Sequence, residues 1–125
     1  MNYKELVVEL KEAKSLIDSP EKWTQHKFGR DAWGHGLSTN EWSDTPPACM
    51  CSVGAIYEVN RRKDPTVCLY KVSSTRSDNA ASFLTRVAGE VITRFNDSHS
   101  HAEVMALWDK AIAKAEKLAA EGEEK

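Results

Sequence analysis

Cys51 is the residue whose type and setting come closest to chemistry. It opens the run Cys51-Ser52-Val53-Gly54-Ala55-Ile56, and a thiol at the start of a helix is stabilised as thiolate by the unpaired amides there. His99 or His101 would supply a base, oriented by Asn96 or Asp97, to complete a Cys-His-Asn type of nucleophilic set. The spacing does not bring these groups within hydrogen-bond reach, and a free cysteine among valine, alanine and isoleucine is more often a small core residue. Cys49 and Cys51 with His99 and His101 also add up to two thiolates and two imidazoles, an acceptable zinc set. The one-residue spacing within each pair is unlike that of zinc fingers, and residues two apart on a helix point in different directions. No metal and no cofactor is expected, and the two histidines read as polar residues of a loop ahead of a helix.

A second constellation is aromatic. Residues 23–42 carry Trp23, Trp33 and Trp42, and set His26, Arg30, Asp31, Trp33 and His35 close together. Indole faces beside charged and hydrogen-bonding groups suit protein hot spots and small polar ligands alike. Trp23 and Trp42 read as side chains that seal the core, whereas Trp33, flanked by chain breakers, belongs at an exposed loop tip. Asn96-Asp97 fits a turn between two helices, with side-chain-to-backbone bonds ranked above a catalytic use of Asp97. Phosphate-loop, dinucleotide-binding and His-Glu-x-x-His patterns are absent from the sequence, so an enzyme is the less favoured reading.

The elements that must position these groups are mainly helical. Tyr3, Leu6, Val7, Leu10, Ala13 and Ile17 recur at helical spacing, with charges between them, and Pro20 stops the segment. Gly29, Gly34, Gly36, Pro46 and Pro47 exclude a helix over the tryptophan-rich stretch. There the sequence predicts a small hairpin: a strand over 23–28, a turn through Arg30 to Gly34, and a return over 35–38. A buried helix is predicted from Ala48 through Val59, with Gly54 marking a close helix crossing. Residues 64–77 read as polar linker holding a short strand or packed turn at Val67 to Tyr70. Leu84, Val87, Ala88, Val91 and Phe95 mark a third helix, capped by Ser77 or Asp78 and interrupted at Asn96-Asp97. The last helix begins with the capping box Ser100-His101-Ala102-Glu103.

The whole chain sets the frame. Its 125 residues are 41% hydrophobic, enough for one modest core. The formal net charge of −2 gives no overall attraction to nucleic acid or an anionic membrane. Arg61, Arg62 and Lys63 form the one basic cluster, which reads as a solvated helix end. No stretch has the length of a membrane span and no signal peptide is evident. With three irregularly spaced cysteines, these features place the chain in the cytoplasm with reduced thiols.

Several segments, in order, resemble an uncharacterised family of small bacterial and bacteriophage proteins. They are Trp23-Thr24-Gln25, the Ala48 to Ile56 segment with Cys51-Ser52-Val53-Gly54-Ala55, Phe95-Asn96-Asp97, and Ala102-Glu103-Val104 through Ala111-Ile112. Met50 stands where such proteins tend to carry an aromatic residue. The resemblance implies a compact helical domain with a small hairpin, a phage or prophage origin, and no particular reaction; it also places His99 and His101 in a variable stretch.

The fold expected is therefore mainly α: a compact domain over residues 1–120 with helices near 3–18, 49–62, 78–95 and 101–120, a β-hairpin between the first two, and a disordered tail over 121–125. Leu10, Val53, Ile56, Leu84, Val87, Val91, Val104, Leu107 and Trp108 are the expected core. The leading functional expectation is a binding protein acting through His26, Arg30, Asp31, Trp33 and His35 on a host or phage protein, or on a small polar ligand. An inhibitor of a host defence protein is one concrete form. The alternative is a small hydrolase or transferase using Cys51 with His99, His101 or Asp97. A membrane partner is excluded, nucleic acid is disfavoured, and self-association stays open.

Overall fold

The structure is a computed structural model that describes residues 2–122; residues 123–125 of the expected tail lie outside them. The described residues hold six α-helices, two short 3-10 turns at Pro20–Lys22 and Thr39–Glu41, and one three-stranded antiparallel sheet, so the fold is mainly helical. Helix α1, Tyr3–Ser15, begins where the Asn2 side chain accepts from the Glu5 amide, and buries Leu6, Leu10 and Ala13. It lies against α6, His101–Ala120, and α2, Ser52–Lys63. The α6 stripe of Val104, Leu107, Trp108, Ala111 and Ala115 is buried along it. The expected capping box is present, with Glu103 N–H donating to Ser100 Oγ and Ser100 N–H to Glu103 Oε1. The Ser100 N–H, and after it the Ser100 hydroxyl, hold the Glu103 carboxyl below its usual range.

The expected helix over 78–95 is two helices. Helix α4, Ala80–Ala88, is capped by Asn79 rather than Ser77 or Asp78. It ends at Gly89 with φ +80°, the left-handed conformation a helix terminus assigns to glycine. Helix α5, Ile92–Ser98, then starts in a new direction, its Ile92 N–H held by Thr85 Oγ1 at 3.0 Å. This break corrects two readings. Val91 falls in the connection and is 45% exposed rather than in the core, and Asn96-Asp97 lie inside α5 rather than interrupting a longer helix. Val87 is partly buried against the core, and the other expected core residues are buried. Burial of side chains of this size is worth roughly 1.5–3 kcal/mol each. The linker holds a further short helix, α3, Leu69–Ser73, which puts Val72 into the core.

The sheet differs from the expected hairpin. β1 is Gly29–Arg30 and β2 is Gly36–Leu37, so the turn falls where expected while residues 23–28 precede the strand. β3, Cys49–Met50, pairs with the other edge of β1, giving the order β2-β1-β3. Cys49 and Met50 are thus strand, and α2 starts only at Ser52, with Cys51 as its N-cap. Gly54 has a corresponding cause. A Cβ there would collide with the Phe28 carbonyl oxygen, which also accepts from the Cys51 amide at 3.1 Å. The close approach is a hairpin carbonyl against the first turn of α2, not a helix crossing.

The basic cluster at the end of α2 is paired within the chain. Arg61 and Arg62 both pair with the buried Glu58, and Lys63 lies 3.6 Å from Glu12. The described residues hold no helix long and apolar enough to cross a membrane.

Candidate functional site

The hairpin turn is built from its own sequence. Asp31 exchanges backbone bonds with the far side of the loop: its N–H donates to the His35 carbonyl at 2.9 Å and its carbonyl accepts from Gly34 N–H at 3.0 Å. Gly34 takes φ +85°, as a three-residue hairpin loop requires. Asp31 Oδ1 accepts from the Trp33 and His35 amides, both at 2.9 Å, while Oδ2 lies 3.3 Å from His35 Nδ1. The backbone N–H of His35 is the largest influence holding the Asp31 carboxyl below its ordinary value. Arg30 braces the same loop from beneath, donating to Thr24 Oγ1, the Gly34 carbonyl and the Gln25 carbonyl. Arg30 and Asp31 therefore frame the loop, and Trp33, 81% exposed, and His35 are what it displays.

The base of the hairpin is tied to the helices by one buried amide. Asn96, fully buried in α5, accepts at Oδ1 from Trp23 Nε1 at 2.8 Å, Ser52 Oγ at 2.8 Å and Ser52 N–H at 3.0 Å. Its Nδ2 donates to the Thr24 carbonyl at 3.1 Å and to Asp97 Oδ1 at 3.2 Å. Ser52 Oγ in turn accepts from Trp108 Nε1 at 3.1 Å. Gln25 Nε2 reaches the Asn96 and His99 carbonyls. Trp23-Thr24-Gln25, Ser52, Asn96 and Trp108 thus form one network, in which each buried polar group has a partner, as a low-dielectric interior demands.

Beside this network lies a cleft of about 540 Å³ between the hairpin and α5, lined by His26, Lys27, Phe28, Gly36, Leu37, Ser38, Cys51, Thr93 and Asp97. Its polar side is Asp97, whose Oδ1 accepts from His26 N–H at 2.8 Å and whose Oδ2 stands 3.7 Å from His26 Nδ1. His26 has φ +70°, and among the described residues no other non-glycine residue takes a positive φ. Such strain concentrates at functional positions and is held there by surrounding bonds, here by Asp97. Cys51 reaches the cleft with only 5% of its surface exposed. Its Sγ accepts from Gly54 N–H at 3.3 Å. Burial pushes the thiol up to about 11, the helix amides offset part of this, and the charge of Asp97 adds to it. The thiol is the resident form at neutral pH.

The two histidines expected near Cys51 do not line the cleft. His99 Nδ1 lies 2.9 Å from the Phe95 carbonyl, and its ring stacks on Phe95 at 3.8 Å. His101 Nε2 lies 2.8 Å from the Ile17 carbonyl, beside the Trp23 ring. The imidazole that shares the cleft with Cys51 is His26. The considered zinc set of Cys49, Cys51, His99 and His101 is not assembled: among the described residues no group of three or more His, Cys, Asp or Glu is placed to hold a metal ion. Lys27, Phe28, Leu37, Ser38 and Thr93 were not marked by the sequence, since nothing in their types or spacing connects a hairpin with a helix more than fifty positions later.

Fold and site define a mainly helical domain in which a small sheet is fastened to a helix N-terminus through a buried Asn-Ser-Trp network. Residues 1–114 match the family of unknown function DUF6197, and the chain belongs to that family. No curated protein and no solved structure matches the chain.

Proposed function

We propose that this protein is a non-enzymatic binding module that engages a partner protein through the tip of its hairpin and the adjoining cleft. The observation that carries this reading is the exposure of Trp33 on a loop whose backbone is already satisfied by Asp31 and Arg30. A large aromatic side chain that the core does not use, displayed on a preorganised loop, has the properties of an interface hot spot, because little ordering remains to oppose association. His35 is its neighbour in the contact, and Arg30 and Asp31 act by holding the loop. The reduced cysteines and the lack of a membrane-spanning helix among the described residues support a cytoplasmic setting. A bacterial host or its phage supplies the partner, a host defence protein being one form.

The test is affinity capture from bacterial lysate with the parent chain and with Trp33→Ala. The reading expects a protein enriched by the parent and lost from the variant, with both chains melting at the same temperature. Identical captured sets would contradict it.

A second reading has one observation in its favour: Cys51, His26 and Asp97 share the cleft, as a small hydrolase or transferase would require. The elevated thiol opposes it, since the thiolate is the nucleophile. Alkylation of the native protein separates the two. Rapid labelling of Cys51 supports the enzyme, and labelling only after denaturation supports the binding module.

A further inference from the structure

The walls of the cleft are Phe28, Leu37, the Cys51 thiol and Thr93, and Asp97 supplies its one carboxylate. The two oxygens of that carboxylate are not equivalent. Oδ1 accepts from the His26 amide and from Asn96 Nδ2. Oδ2 accepts no hydrogen bond from the described residues; His26 Nδ1 stands 3.7 Å from it, an ion-pair distance if the imidazole is protonated, and the carboxylate is open to the cleft with about a third of the side chain exposed. A carboxylate oxygen at an apolar cleft favours a donor, and a charged donor gives the stronger, shorter bond. The rim cation does not satisfy it. The Lys27 stem lies along Gly36, and its ammonium makes no ion pair among the described residues. An aliphatic stem ending in a cation matches both chemistries of the lining, the apolar surface of Phe28 and Leu37 and the carboxylate of Asp97. The volume, about 540 Å³, lies in the range of small-ligand pockets, ample for one basic side chain together with part of its backbone.

We infer that the cleft is a receptor for an arginine or lysine side chain of the partner protein, with Asp97 Oδ2 as the acceptor of its charged head. This rests on the binding-module reading and names the chemistry of the partner residue that enters beside Trp33.

The inference is tested by NMR titration of the full chain, with Trp33 intact, against N-acetyl-arginine amide, N-acetyl-lysine amide, N-acetyl-norleucine amide and N-acetyl-glutamate amide. The basic probes are expected to shift the resonances of Leu37, Cys51 and Thr93. In Asp97→Asn, which keeps the Oδ1 acceptor and the shape while removing the charge, their binding should weaken roughly tenfold, the scale of one charge-assisted hydrogen bond. Equal binding of the norleucine probe, preference for the glutamate probe at Lys27, unchanged binding in Asp97→Asn, or no response to any probe at tens of millimolar would each overturn it. Because no probe depends on Trp33, failure here leaves the hairpin reading standing, and loss of Trp33-dependent capture leaves the cleft result standing.

Discussion

Trp23 Nε1 donates to Asn96 Oδ1 at 2.8 Å across 73 positions of sequence, and this bond fastens the hairpin to the helices. The same oxygen takes the hydroxyl and amide of Ser52 at the start of α2. One carboxamide thereby fixes the Trp23-Thr24 segment that leads into the hairpin, the first turn of α2 and, through Ser52, the indole of Trp108.

Replacing that amide leaves several buried donors without acceptors. Asn96→Ala is expected to cost roughly 3 kcal/mol or more, since each stranded buried group costs about 1–3 kcal/mol. Equilibrium denaturation measures it. A loss below about 1 kcal/mol would show that the network does not hold the fold together.

His26 sits at φ +70°, a region that costs a residue with a Cβ about 1–2 kcal/mol and costs glycine little. Its backbone N–H, which glycine keeps, makes the bond to Asp97. His26→Gly should therefore leave the melting temperature unchanged or raise it, while widening the cleft. A clear fall in melting temperature would show that the imidazole itself supports the structure.

The Cys51 thiol ionises at about 11 in the folded chain against an ordinary 9.0. Between these values the unfolded chain has released a proton that the folded chain still holds, so stability is complete below about pH 9 and falls as pH rises toward 11. Two pKa units correspond to roughly 3 kcal/mol. Cys51→Ser keeps an oxygen to accept from Gly54 N–H and removes the titration. The parent should lose more stability than the variant between these pH values in denaturation series. Parallel curves would show that the thiol is not buried as described.

The helical part of this fold was legible because its signals are local. Apolar spacing locates α1 and α6, and Ser100 with Glu103 marks the start of α6 without reference to any tertiary contact. The failures are of another kind. The break at Gly89 was hidden because Leu84, Val87 and Val91 keep helical spacing across a change of direction, and Val91 emerges exposed on the far side. Cys49-Met50 reads as helix by composition, but it pairs with the free edge of β1. In the candidate site, exposure of Trp33 followed from its neighbouring breakers. The partnership of Asn96 with Trp23 and Ser52, and of Asp97 with His26, depends on packing between remote segments that no periodicity encodes.

The hairpin tip is a rigid, preformed display of Trp33 in the free protein. Backbone 15N relaxation at the Trp33 and His35 amides, both donating to Asp31 Oδ1, tests this most directly. Order parameters of about 0.85, equal to those of α6, are expected, and values below about 0.6 at these two amides would show that the tip is mobile and not preformed.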